Sequence, residues 1–336
     1  MSPQRIAVIG CGAITEALYL PALRRLTPSL ELVFVDADHQ RAQRAAQSIP
    51  ASRWSGDYRE VTNDVDGAIV AVPPSVHHMV ALHFLEHGID VLCEKPLALS
   101  LADAEELVRV ADRRGTTLAV NNGRRLFPAF REVARLAATG ALGTLDSLEL
   151  ELGEAFDWPA ASASYFGVAA GGRGVLLDIG AHIVDLACWW LGGRPTLVSY
   201  ADDSLGGTEA YAKLTFASGA CTGHITLSWL SRLANRYRLC GDAGVVSGNM
   251  YDWRSLDLTT EGRTRRLQLA TRAKTISEAA YGIVDNFVDV LAGRAAPLIT
   301  GRDVLPSIGL IEECYARRQR VPMSWHDAME LILDAR

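Results

Sequence analysis

Residues 4–15 read QRIAVIGCGAIT, and the reading of the fold starts from them. Residues 5–9 are a short apolar strand. Gly10-Cys11-Gly12-Ala13-Ile14-Thr15 turns the chain, and a helical pattern continues to about residue 25. Gly10 permits the tight turn. Gly12 lets the backbone approach a pyrophosphate at the helix N-terminus, where free N–H groups and the helix dipole favour anions. The third fingerprint position holds Thr15 where Gly or Ala is usual. A second strand, 30–35, ends in Asp36, whose carboxylate would accept from the adenine ribose hydroxyls and repel a 2′-phosphate. An isolated Gly-x-Gly is as compatible with an ordinary strand–helix turn. The order strand, glycine loop, helix, strand, acid favours a dinucleotide, with NAD expected and NADP disfavoured.

The same rhythm continues outward. Strands are expected at 67–72, 89–93 and 118–120, and helices at 41–48, 77–87 and 102–114. Apolar strands alternating with helices predict a parallel doubly wound sheet, here a domain over residues 1–122. Beyond it, 145–152 alternates as LDSLELEL, strands 211–216 and 220–230 are joined by a Gly turn, and further strands are expected at 237–239, 245–250, 256–259 and 267–269. Consecutive strands with short turns predict a mainly antiparallel sheet, so residues 123–336 form a second α/β domain. Helices at 128–139, 277–291 and 304–318 complete it.

Composition bounds the function. The chain has 336 residues, 49% of them hydrophobic, with a net charge of −6. It contains no basic run, so no nucleic-acid partner is expected. It has no apolar run long enough to cross a bilayer and no secretory leader pattern at its start, so no membrane association and a cytoplasmic location are expected. The six cysteines are scattered without a CxxC and read as reduced core thiols.

Arg outnumbers Lys heavily: Lys95, Lys213 and Lys274 are the only lysines. Lys95 lies just past the strand 89–93, in CEKP, where Pro96 keeps it extended at the carboxyl edge of the sheet. Lys can lose a proton when buried; Arg cannot. Far downstream, GGRGVLLDIGAHIVDLACWW places Asp178, His182 and Asp185 on one helical stripe, with Ile179, Ile183 and Leu186 on another. Hydride transfer at a carbinol needs an acid/base for the hydroxyl proton; His182 suits it, and the sequence leaves open whether Lys95 or His182 moves that proton. Lys95 would hydrogen-bond the same oxygen, and Asp178 would orient or polarise the pair. Asp185 reads as a structural brace. His83 and His87 match HxxEH, but a helix between two sheet strands gives no reason for zinc, and no metal is expected.

These segments resemble the glucose–fructose oxidoreductase, inositol dehydrogenase and MocA (Gfo/Idh/MocA) family. GCGAI, VPPSVHH, GIDVLCEKPLALS, NNGRRLFPAF, GGRGVLLDIGAHIVDL and PLITGRDVLPSIGLIEECY occur in the family's order. The resemblance implies a Rossmann domain followed by an α/β domain on a large, open, mostly antiparallel sheet. It assigns Lys95, Asp178 and His182 as the catalytic group. It places Val72, Pro73, His77, Glu94 and Pro96 on the cofactor side, beside Gly10, Gly12, Ala13, Ile14, Asp36 and Lys95. Val72 stands where Thr is frequent, and Asn121-Asn122-Gly123 departs from the usual Gly-Phe-Asn.

The expected activity is hydride exchange between NAD(H) and a secondary alcohol or ketone of a sugar, cyclitol or sugar derivative. Arg124, Trp158 and Tyr165, with His182, are the substrate-side expectations. Phe156 and Phe166 lie in the same aromatic segment, which would equally suit a packed cluster. An NAD-dependent glycosidase and a catalytically silent cofactor-sensing regulator remain as other readings. A homodimer or homotetramer is expected because the one-sided second sheet needs a cover.

Overall fold

The computed structural model describes residues 3–157, 174–204, 207–270 and 275–322. The first half contains β1 (Gln4–Ile9), α1 (Leu20–Leu26), β2 (Leu30–Val35), α2 (His39–Gln47), β3 (Arg53–Ser55), β4 (Gly67–Val70), α3 (Pro74–Glu86), β5 (Asp90–Glu94), α4 (Leu101–Arg114) and β6 (Leu118–Asn121). Its six strands are all parallel, in the order β3-β2-β1-β4-β5-β6. The order reverses between β1 and β4, which is where open α/β sheets bind their ligands. Local chemistry sets the helix ends. Asp38 caps α2, accepting from Gln40 and Arg41 N–H, Ser100 caps α4, and Gly115 closes α4 in the left-handed region at φ 67°. The short strand β3 lacked a sequence signal because it is an edge strand with exposed Arg53 and Trp54.

The second half contains α5 (Pro128–Ala138), β7 (Leu145–Gly153), α6 (Ile179–Trp190), β8 (Thr196–Asp202), β9 (Tyr211–Ser218), β10 (Cys221–Ser228), β11 (Arg236–Gly241), β12 (Gly244–Asn249), β13 (Ser255–Thr260), β14 (Arg263–Gln268), α7 (Ile276–Leu291), α8 (Gly301–Ala316) and β15 (Gln319–Arg320). Nine strands form one sheet in the order β14-β13-β12-β11-β7-β10-β9-β8-β15. It is mostly antiparallel, with β7 and β10 parallel at its centre and β15 parallel to β8. Leu148, Leu150 and Leu152 of β7 point with Leu214, Phe216, Ile225 and Leu239 into a core closed by α5 and α6.

Two expectations need correction. The division at residue 122 separates the sheets but not the helices. Ile283, Val284, Phe287 and Val288 of α7 pack into the core beside Ile6 and Val8 of β1, and Val120 N–H donates to Ile299 O at 3.0 Å. The chain therefore returns to the first domain, because the apolar stripe of α7 covers one face of the parallel sheet. The open face of the nine-stranded sheet is also not apolar. It presents Glu149, Glu151, Lys213, His224 and Arg236, and Arg236 pairs with Glu151 at 3.1 Å. An antiparallel sheet can carry a solvated face of this kind without a cover. Among the described residues no helix is long and apolar enough to cross a membrane. Cys11, Cys93, Cys188, Cys221 and Cys314 are buried and unpaired.

Candidate active site

The glycine loop lies at the switch point. Gly10 has φ +95°, and a Cβ there would sit 2.5 Å from Ala71 O, so the loop touches the end of β4 with no room for a side chain. A Cβ at Gly12 would meet no atom within 4 Å. The loop is thus closed behind and open in front, beside the N–H groups of a first helical turn that lack intrahelical partners. Thr15 explains its own departure from the fingerprint: it is fully buried, and its hydroxyl donates to Gly10 O at 2.6 Å, tying the helix start to the turn. Asp36 Oδ2 accepts from Cys11 N–H and Oδ1 from Asp38 N–H, each at 2.8 Å. The carboxylate is held beside the loop with further lone pairs to offer. Ala13 and Ile14, half-buried, continue the loop, and exposed Pro73 follows half-buried Val72 past β4.

Glu94 and Lys95 follow one another but face different partners. Glu94 is 7% exposed; Oε1 accepts from Tyr19 OH at 2.7 Å and Asn121 Nδ2 at 2.6 Å, and Oε2 from Lys95 N–H at 3.2 Å. Burial raises the Glu94 carboxyl, opposed by Tyr19, while burial and neighbouring Glu94 hold the Tyr19 phenol protonated. The Lys95–Pro96 peptide is cis. His77 does not open onto the cleft as expected. It is 1% exposed, with Nδ1 2.7 Å from Pro96 O and Nε2 2.7 Å from Val72 O. Both ring nitrogens face backbone, so His77 braces the two turns that the cofactor side was expected to use.

Lys95 Nζ donates to Asp178 Oδ1 at 3.0 Å and to Asp178 O at 3.1 Å. The pair joins the carboxyl edge of the first sheet to the start of α6. Asp178 is the N-cap residue of α6 but makes no side-chain cap bond, which leaves its carboxylate for Lys95. Backbone around buried Glu209 sets this approach. Val175 N–H donates to Glu209 O, Leu176 N–H donates to Glu209 Oε1, and a Cβ on Gly174 would collide with Glu209 O. Close approach is thus the requirement at Gly174. Gly171 and Gly172 lie outside the described residues.

His182 is one turn into α6. Its Nδ1 is 2.9 Å from Asn122 Oδ1. An amide oxygen only accepts, so Nδ1 carries the hydrogen and Nε2 keeps its lone pair. Burial, then Lys95 and Arg124, pushes the ring pKa well below its ordinary value, so the imidazole is neutral at rest. The expected orienting role thus divides: Asp178 holds Lys95, and Asn122 holds His182. Asp185 braces structure, as expected. It is 1% exposed and takes a bidentate bond from Arg125, with both contacts at 2.7 Å. Arg125 also donates to Asp303 O at 2.8 Å, so the ion pair locks α6 and α8 to the domain junction.

Arg124, half-buried beside Arg125, takes no part in that ion pair. Its electrostatic neighbours are Tyr251 and Asp178. Trp158, Tyr165 and Phe166 lie outside the described residues. Phe156 packs edge-on against Trp229 with centroids 4.9 Å apart. Of the HxxEH pair, His83 Nε2 meets Thr62 Oγ1 at 2.8 Å and His87 Nδ1 meets His83 O at 2.7 Å. The sequence reading missed Tyr19, Asn121, Asn122 and Glu209. Asn121 and Asn122 were visible as a departure from the family pattern, but their partners are distant in sequence.

A parallel switch-point fold with an open glycine cradle and a Lys–Asp–His group at its rim defines an NAD-binding oxidoreductase. Two family models bear this out: an oxidoreductase family with an NAD-binding Rossmann fold matches residues 4–122, and the GFO/IDH/MocA C-terminal domain matches residues 130–247. The chain belongs to the Gfo/Idh/MocA family, whose members are NAD(P)-dependent oxidoreductases of sugars and cyclitols. It is 26% identical over 328 residues to D-apiose dehydrogenase of Paraburkholderia graminis, covering 92% of this chain and 86% of that one. Among solved structures it resembles KijD10, a 3-ketoreductase from Actinomadura kijaniata in complex with NADP and TDP-benzene. The TM-score is 0.80 at 23% identity, over 95% of this chain and 99% of that one. It also resembles the WlbA dehydrogenase from Bordetella pertussis in complex with NADH and UDP-GlcNAcA. There the TM-score is 0.78 at 20% identity, over 94% and 95% of the two chains.

Proposed function

We propose that this protein exchanges a hydride between NAD(H) and a secondary alcohol or ketone of a sugar, cyclitol or sugar derivative. The observation that carries the reading is the convergence of Lys95, Asp178 and His182, from distant segments, at the carboxyl edge of the parallel sheet. Bound nicotinamide supplies the hydride acceptor or donor. Gly12 and the first helical turn would receive its pyrophosphate, and Asp36 its adenine ribose. In the oxidation direction His182 Nε2 takes the hydroxyl proton while Lys95 Nζ hydrogen-bonds the oxygen that becomes the carbonyl. Reduction runs the same transfers backward.

NAD is preferred over NADP on this reading. Asp36 is negative where a 2′-phosphate would lie, and Arg41, the nearby cation, pairs with Asp38 at 3.4 Å. The test is a titration with NADH and NADPH read by tryptophan energy transfer, followed by a panel of sugars and cyclitols with NAD. Tighter NADH binding and NADH accumulation with a carbohydrate support the reading. Absence of binding by both nucleotides would refute it.

A further inference from the structure

Glu94 is a buried carboxylate that, among the described residues, has no ion-pair partner. An apolar side chain at this core position would cost less than a charge. Hydrogen bonds balance the charge instead. Tyr19 OH donates to Oε1 at 2.7 Å and Asn121 Nδ2 donates to it at 2.6 Å, while Asn121 Nδ2 also donates to the Tyr19 oxygen at 3.0 Å. Tyr19 is 0% exposed, and burial beside Glu94 keeps its phenol protonated, so it serves Glu94 as a donor. This triangle reaches both reacting groups by single steps along the chain. Glu94 Oε2 accepts from the N–H of Lys95 at 3.2 Å, and Asn121 precedes the Asn122 that holds His182. The triangle reaches the glycine loop as well. Tyr19 ends a π-helical turn, Thr15–Tyr19, closed by Leu20 N–H on Thr15 O, and the Thr15 hydroxyl donates to Gly10 O at 2.6 Å. A π turn is rare in a helix and recurs at functional sites.

Resting on the oxidoreductase reading above, we infer that Tyr19 is a positioning residue of the site: through Glu94 its hydroxyl fixes the backbone of Lys95 relative to the glycine loop. A hydrogen bond to a charged acceptor is short and directional, so removing the phenol hydroxyl frees the Glu94 carboxylate to turn about its last bond. Lys95 then loses the fixed acceptor of its N–H, and the reach of Nζ to Asp178 is no longer set from both ends. Packing alone does not account for the hydroxyl. A phenylalanine would fill nearly the same volume without bringing a polar group into the core.

The first test needs no substrate. The chain has three lysines, so acylation of the full protein by acetic anhydride can be followed at Lys95 by peptide mass spectrometry, with exposed Lys213 as the internal reference. An amine engaged by Asp178 is less available to the reagent. In Tyr19→Phe, Lys95 should react about fivefold faster relative to Lys213 than in the wild type. Glu94→Gln replaces the charged acceptor with a neutral amide and should move Lys95 the same way, which keeps the test open if Y19F does not fold. With a carbohydrate substrate in hand, Y19F should lower kcat about tenfold and leave KM within about twofold. Unchanged Lys95 reactivity in a folded variant, an equal rise at Lys95 and Lys213, an unchanged kcat, or a change in KM alone would overturn the proposal. Faster labelling of Lys95 in a chain that binds neither NADH nor NADPH would instead overturn the oxidoreductase reading and leave the tie from Tyr19 to Lys95 standing.

Discussion

Asn122 Oδ1 lies 2.9 Å from His182 Nδ1, and this one contact joins the domain junction to the helix that carries the base. It sets both the tautomer and the direction of the free lone pair on Nε2. Asn122→Ala should lower kcat about tenfold while leaving NADH affinity within about twofold, and His182→Ala should lower kcat by about 10²–10⁴. Asn122→Asp places a carboxylate on the ring and should move the acidic limb of the kcat/KM profile to higher pH. An unmoved limb would show that His182 does not control it.

The Lys95–Asp178 pair gives a second prediction. Asp178→Asn leaves Lys95, an electrostatic neighbour of His182, without its counter-charge. Turnover should fall about 10²-fold, with most of the change in kcat. Steady-state kinetics separates this from a binding defect, which would raise KM alone.

Arg125 and Asp185 are a buried ion pair, 9% and 1% exposed. Arg125→Ala strands Asp185 without its partner and should cost about 3–5 kcal/mol in urea denaturation. Replacing both with apolar residues should cost less than the single change. A loss below about 1 kcal/mol in R125A would mean that water reaches Asp185.

His182 also predicts a pH dependence of stability. Its pKa in the folded protein lies well below that of the unfolded chain, about 6.5. Below that pH the unfolded chain binds a proton that the folded site refuses, so stability falls as pH drops from about 6.5 toward the folded pKa, by up to about 1.4 kcal/mol per pH unit for one histidine. Above about pH 7.5 the contribution is flat. Buried His77 carries the same sign, while Glu94, Asp185 and Glu209, raised by burial, carry the opposite one. The His182 share is therefore the difference in slope between wild type and His182→Gln. Equal slopes would mean that the folded ring takes up its proton as readily as the unfolded one.

Cofactor choice is tested at Asp36, which accepts from Cys11 and Asp38 N–H. Asp36→Ser removes the negative charge and should improve NADPH affinity relative to NADH about tenfold. An unchanged ratio would place selectivity elsewhere in the loop.

The sequence by itself determined the elements with a local cause. Strands 30–35 and 67–70, the glycine loop, and the Lys95 and His182 segments were legible, because apolar runs and turn glycines act over a few residues. Short β3 was not, because an edge strand with exposed side chains lacks the alternation that marks a half-buried one, and β8 was not, because a register irregularity between Leu197 and Ser199 breaks its alternation. Only the tertiary structure decided that α7 returns to the first sheet, that His77 braces backbone, and which of two adjacent arginines pairs with Asp185. Arg125 reaches Asp185 across 60 residues, a pairing that joins the domain junction to α6. Such choices depend on which groups meet when two layers close, and the residues concerned carry no mark of it in their neighbours along the chain.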